Sequence, residues 1–271
     1  MSLQVESFGK GAPLLLIHGW GMHGGVWDKV ATQLAQNFRV HCVDLPGHGF
    51  NVGRNLSRQS IVGLKPDLQI DSIVDQLSAQ FSEPLAVCGW SLGGQIALHW
   101  AIRHPQQINR LVLVATTPCF VQRPDWPCAM AAEMLTEFSD ALQENYAQTL
   151  RRFVALQMHG SERERELLAD VWQRLFSRGE PDGAALQHGL EILRDTDLRA
   201  QLKVIVHKAL VIAGERDKLI PLAASIFLAQ SLPAAHLVKI AGAAHAPFLS
   251  HPDIFVQHVT DFMYGSSSNS L

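Results

Sequence analysis

The stretch Val87-Cys88-Gly89-Trp90-Ser91-Leu92-Gly93-Gly94 constrains this chain more than any other. It reads as an apolar strand over residues 85–88, a Gly-x-Ser-x-Gly turn, and a helix over residues 95–103. A serine on a sharp strand-to-helix corner has strained backbone angles and crowded surroundings. Gly89 and Gly93 supply the room, because a β-carbon at either place would meet the neighbouring element. The corner lifts the Ser91 hydroxyl clear of the sheet and aims the first helical amides at the place where negative charge would develop. Gly-x-Ser-x-Gly alone is a weak pattern; a strand before it and a helix after it identify a nucleophile elbow.

The rest of the chain supplies the setting for such a corner. Apolar runs at residues 14–17, 40–43, 111–115, 209–213 and 237–240 predict short buried strands, with a loose edge strand over 3–7. Helical faces recur between them, over residues 26–38, 70–81, 222–230 and 248–263. Residues 51–67 show no period and predict a surface loop. From Cys119 to about Leu193 the strands stop, and amphipathic helices are expected over 129–146, 147–158, 162–177 and 184–193. An all-helical insertion between strands of an α/β sheet predicts a lid over the strand ends. The expected organisation is a core over residues 1–118 and 194–264, a lid over 119–193, and a polar tail over 265–271.

Composition excludes several classes. A net charge of −3 with only 17% charged residues argues against a nucleic-acid binder, which needs a basic excess. The apolar run at 14–17 is too short for a signal-peptide core or a membrane span, so a cytoplasmic address is expected, with no membrane partner. Cys42, Cys88, Cys119 and Cys128 lack a Cys-x-x-Cys spacing and read as reduced thiols, Cys42 and Cys88 in buried strands. The histidines lack metal-ligand spacing, so neither a metal nor a cofactor is expected.

A serine hydroxyl needs a base to take its proton, and the base needs an orienter. In the α/β-hydrolase order the acid and then the histidine follow the serine. Asp217 follows the predicted strand 209–213, and His245 follows the strand 237–240. Glu215 is the alternative acid, but Gly214-x-x-Asp217 places the Asp217 carboxylate beyond the turn. Asp195 and Asp197, at the end of the lid, read as helix caps. His251 precedes a proline and His258 lies inside a predicted helix, which leaves His245 as the base on a strand-to-helix loop. His18-Gly19-Trp20-Gly21 closes another buried strand, and the amides of Trp20 and Leu92 are the expected oxyanion donors. His18 reads as a hydrogen-bonder beneath that loop.

Several segments together resemble a narrower family: His18-Gly19-Trp20-Gly21, Asp44-Leu45-Pro46-Gly47, Gly89-Trp90-Ser91-Leu92-Gly93-Gly94, Pro118-Cys119-Phe120, Trp126-Pro127, Arg152-Phe153-Val154-Ala155-Leu156-Gln157, Gly189-Leu190-Glu191-Ile192-Leu193 and Ala243-Ala244-His245-Ala246-Pro247-Phe248. They look like the pimeloyl-[acyl-carrier-protein] methyl ester esterases of biotin synthesis. The elbow and the histidine loop would fit many hydrolases; the lid segments discriminate. The resemblance implies an α/β-hydrolase fold, with a mostly parallel central sheet, helices on both faces and a helical lid. It implies a serine carboxylesterase that demethylates pimeloyl methyl ester carried on acyl carrier protein. Trp20, Ser91, Leu92, Phe153, Val154, Ala155, Leu156, Gln157 and His245 would line the acyl site. Phe153 and Leu156 can wall a methylene chain, although Leu156 reads equally well as ordinary lid core.

The same resemblance implies lid arginines that dock the acidic carrier protein, here Arg151, Arg152, Arg163 and Arg165. Glu162, Glu164 and Glu166 interleave with two of them, while Gln148 and Ala169 stand where the family carries further arginines. The 51–67 segment is longer than the family's. A monomer is the working expectation. A general short-chain esterase, a carbon–carbon hydrolase and a non-catalytic hydrolase-fold binding protein are the alternatives. Dehalogenases and epoxide hydrolases are set aside because they place an aspartate at the elbow.

Overall fold

The computed structural model describes residues 2–53, 69–162 and 164–265. The predicted 51–67 loop therefore lies mostly outside the described residues, as does the tail beyond Gly265. Among the described residues seven strands form one sheet in the order β1-β3-β2-β4-β5-β6-β7. They are β1 (Val5–Phe8), β2 (Ala12–Ile17), β3 (Phe38–Val43), β4 (Leu85–Trp90), β5 (Ile108–Val114), β6 (Lys208–Gly214) and β7 (Ala235–Ile240). β1 pairs antiparallel with β3, and the remaining neighbours are parallel. Parallel strands covered on both faces must be apolar throughout. Accordingly every residue of β4 is buried, and so is β6 after Lys208.

The helices of the core are α1 (Asp28–Leu34), α2 (Ile70–Gln80), α3 (Leu92–Arg103), α8 (Leu222–Ser231), α9 (Pro247–Ser250) and α10 (Pro252–Tyr264). α1 packs on α10, and α2 on α3. Between β5 and β6 come α4 (Ala132–Glu144), α5 (Tyr146–Met158), α6 (Glu164–Leu175) and α7 (Gly183–Asp195).

Three expected elements end differently. The helix predicted to Phe38 stops at Leu34, and Phe38 opens β3. Its burial is the reason the period misleads: Phe38 faces the core from a strand as well as it would from a helix. The closing helix divides at His251, because Pro252 has no amide to donate and disfavours helical angles in the residue before it. The helix after the elbow begins at Leu92 rather than Gln95, so Ser91 alone makes the corner.

The topology sets the site. The chain leaves β2 for β3, then returns across β2 to β4, so the order in which strands are added reverses between β2 and β4, which stay parallel. Ligand crevices of open α/β sheets form beyond the carboxyl ends of strands at such a reversal. Ile17 registers with Gly89, which brings the loop after β2 beside the elbow. Gly214 registers with Ile240, which brings the loops after β6 and β7 together.

Candidate active site

Ser91 has φ 55° and ψ −118°, a conformation that a side chain rarely adopts. It is held there from both sides: its amide donates to the Val114 carbonyl (2.9 Å), and its carbonyl accepts from Thr116 Oγ1 (2.7 Å). The flanking glycines are sterically required. A β-carbon on Gly89 would lie 2.2 Å from the Gly93 carbonyl oxygen, and one on Gly93 would lie 2.4 Å from that of Ile17.

His245 Nε2 is 2.9 Å from Ser91 Oγ, and His245 Nδ1 is 2.9 Å from Asp217 Oδ2. The other Asp217 oxygen accepts from the amides of Leu219 (2.9 Å) and Ile220 (3.0 Å), so the carboxylate is aimed by its own turn. The side chains of His245 and Asp217 are 1% and 3% exposed. A buried carboxylate with this partner orients the imidazole and balances the positive charge it would gain. Glu215 is exposed. His251 bonds Ser250 and faces Glu162 at 3.9 Å, and His258 lies half-buried within α10. Asp197 accepts from the Arg199 amide and pairs with Arg199, and Asp195 pairs with Arg194.

Leu92 is the first residue of α3, where an amide has no acceptor within its own helix. The Trp20 loop lies beside it, and a buried histidine holds that loop. His18 Nε2 accepts from the Leu45 amide (3.0 Å), so its Nδ1–H donates to the Gly19 carbonyl (2.8 Å). Burial, and then the neighbouring His48, hold its pKa well below the ordinary value, which keeps it neutral in this role. The Trp20 indole leaves the loop sideways: Nε1 donates to Leu186 O on α7 (2.8 Å), and the ring meets Phe153 on α5 edge-on at 4.7 Å.

The run on α5 divides between two faces. Phe153, Val154 and Gln157 are buried, and the Gln157 carbonyl accepts from the His245 amide (3.2 Å). Ala155 and Leu156 instead open onto a cleft of about 540 Å³ between α4 and α5, with Met134, Phe138, Gln148 and Arg152. Phe138, in that wall, meets Phe153 at 5.2 Å, so the cleft and Trp20 are separated by two aromatic rings. Arg151, Arg152 and Arg165 are exposed, and Arg163 lies outside the described residues. The Arg151 and Arg152 guanidinium groups rest on Phe176 and Phe138, at 5.9 and 5.8 Å from the ring centroids.

Two features escaped the sequence reading. Arg178, between α6 and α7, reaches Asp44 (3.3 Å), Asp28 (3.7 Å) and Glu6, and so ties the helical insertion to the core. The Trp90 indole donates to the His245 carbonyl. The first has no local signal, because its partners are more than 130 residues away. The second was hidden in the elbow motif itself. Among the described residues no group of His, Cys, Asp and Glu has the arrangement of a metal site.

Residues 12–252 match the family model described as alpha/beta hydrolase fold. The chain is 44% identical over 255 residues to a pimeloyl-[acyl-carrier protein] methyl ester esterase of Nitrosomonas europaea, covering 94% of this chain and 97% of that one. It is 43% identical to the protein of the same name from Chromobacterium violaceum, covering 97% and 98%. Among solved structures, an esterase from Exiguobacterium antarcticum superposes with a TM-score of 0.83 at 20% identity, covering 97% and 95%, a likeness of fold.

Proposed function

This chain belongs to the alpha/beta hydrolase family, among the pimeloyl-[acyl-carrier protein] methyl ester esterases, and from that membership we propose that it hydrolyses the methyl ester of pimeloyl-[acyl-carrier protein] in biotin synthesis. The observation that carries the chemistry is the buried chain Asp217–His245–Ser91, with both links at 2.9 Å. In this reading His245 Nε2 takes the Ser91 proton as Oγ attacks the ester carbonyl carbon. The carbonyl oxygen becomes an oxyanion and accepts from the amides of Trp20 and Leu92. Each such donor contributes about 10²–10³-fold in rate. His245 returns the proton to the departing oxygen, and methanol leaves. Water, deprotonated by His245, then attacks the acyl-enzyme; the free carboxylate is released and Ser91 recovers its proton. No step needs a metal or a cofactor.

Helices α4–α7 act as the lid in this proposal, because Trp20 and His245 each touch them. Phe153 and Gln157, on the buried face of α5 with Val154, touch Trp20 and the His245 amide, and Ala155 and Leu156 line the outer cleft. An acidic carrier protein would meet the exposed Arg151, Arg152 and Arg165 on the outer face, where rim charges mainly speed encounter and fix register. The cytoplasmic address belongs to the same proposal. Among the described residues no helix is long and apolar enough to cross a membrane.

The test compares carrier-linked and free pimeloyl methyl ester with wild type, Ser91→Ala and the triple variant Arg151→Glu/Arg152→Glu/Arg165→Glu. Wild type should clear both esters and Ser91→Ala neither. The triple variant should lose about tenfold in kcat/KM on the linked ester alone, an effect that shrinks with added salt. A wild type active only on small free esters would refute the carrier-linked substrate.

A further inference from the structure

We propose that Trp90 is a positioning residue, whose indole N–H sets the height of the base over the nucleophile. This rests on the reading of Ser91 and His245 as nucleophile and base. The relationship lies between a side chain at the end of β4 and a main-chain atom on the loop after β7. Trp90 Nε1 donates to the His245 carbonyl at 2.8 Å. The indole is fully buried and lies 5.7 Å from the imidazole, centroid to centroid.

The base stands on a loop, and a loop must be held if a proton-transfer distance is to be kept. The peptide groups on either side of the His245 α-carbon are each anchored. Its N–H donates to Gln157 O on α5 (3.2 Å), and its C=O accepts from Trp90. Asp217 fixes the ring's rotation but cannot fix the position of the backbone that carries it. The Trp90 bond does so, and it starts from the residue next to the nucleophile. Base and nucleophile are thereby referred to one strand, and the Trp90 bond joins the Gln157 and Asp217 contacts in keeping the 2.9 Å Oγ–Nε2 distance.

The same ring also supports the oxyanion loop. A β-carbon at Gly19 would lie 3.1 Å from Trp90 Cε3, so the backbone at Gly19, next to Trp20, passes close to the indole. Phe248 meets the ring edge-on at 5.0 Å and limits its freedom to tilt. One side chain thus touches the supports of nucleophile, base and oxyanion donor without approaching the substrate. An error of about 1 Å in such a constellation can cost about 10²-fold in rate, so a single lost anchor is expected to matter.

The protein contains its own control. Trp27 is equally buried, but among the described residues its Nε1 has no hydrogen-bond partner. The test replaces each indole in turn by benzothienylalanine, which keeps the bicyclic shape and exchanges N–H for sulfur. Activity is read on a soluble p-nitrophenyl ester, so it does not depend on the natural substrate. Trp90→benzothienylalanine should lower kcat about tenfold with KM within about twofold, because the lost interaction concerns the chemical step. Trp27→benzothienylalanine should leave both constants unchanged. Trp90→Phe, judged beside its melting temperature, should lose at least as much kcat as the analogue.

The proposal is overturned if the Trp90 analogue keeps kcat within about twofold of wild type, or if its loss appears in KM alone. Equal losses at Trp90 and Trp27 would overturn it as well, since the ring and not the N–H would then matter. Ser91→Ala separates the two levels. If that variant is inactive and the Trp90 analogue is normal, only the positioning role falls. If Ser91→Ala hydrolyses the ester at the wild-type rate, the nucleophile assignment falls and the positioning role goes with it.

Discussion

The main-chain N–H of His245 donates to the Gln157 carbonyl at 3.2 Å, so the loop that carries His245 hangs from the last turn of α5. The following corner is fastened to the same loops: the Glu162 amide donates to Gly242 O (3.1 Å), and Arg216 Nη1 reaches Gly160 O (3.4 Å). Opening the helical insertion at this corner would release a main-chain anchor of His245. Movement of the insertion that spares the Ser91–His245 geometry must therefore leave this corner in place.

The identity of the acid is separable by substitution. Asp217→Asn keeps the shape but not the charge facing His245, and should lower kcat by about 10⁴-fold. Glu215→Gln, on the exposed side of the same turn, should stay within about twofold of wild type. Measurement of kcat for both variants on one ester decides it. A loss confined to Glu215→Gln would return the acid role to Glu215.

The three histidines around Asp44 make stability depend on pH. His18, His23 and His48 are buried, and burial is the leading cause of a folded-state pKa below the ordinary 6.5 in each. Below pH 6.5 the unfolded chain binds protons that the folded chain refuses. Their stabilising contribution is therefore present above that pH and is lost as the pH falls through the lowered folded values. Calorimetric melting temperatures should decline steadily from about pH 6.5 to 5. A melting temperature that rises on acidification across this window would contradict the sign.

Arg178 should matter to stability far more than an ordinary surface arginine. Its side chain is 9% exposed and that of Asp44 is 1%, so the pair lies largely out of water. Arg178→Met leaves the Asp44 carboxylate oxygens, among the described residues, with only the amides of Gly24 and Phe50, and should cost about 3 kcal/mol in denaturant unfolding. The double variant Arg178→Met/Asp44→Asn should recover part of that loss, because it removes the stranded charge as well. A single-variant loss under about 1 kcal/mol would show the pair to be no stronger than a surface bridge.

Local chemistry in the sequence determined the strands, the elbow and the identities of Ser91, Asp217 and His245 as the residues to be brought together. Buried parallel strands are unmixed apolar runs, and the corner demands glycine at fixed spacing; both signals lie within a few residues. The family resemblance in the insertion was legible for the same reason. The ends of elements were less so: Phe38 satisfies a helical period and a strand equally, since burial alone does not say which backbone carries it. Only the tertiary structure decided which faces of α5 point inward, dividing Phe153, Val154 and Gln157 from Ala155 and Leu156. It alone revealed the Arg178–Asp44 clasp and the two anchors of the His245 peptide. Those contacts join residues far apart in the chain, and two of them are made by backbone carbonyls, which every residue possesses and no sequence motif marks.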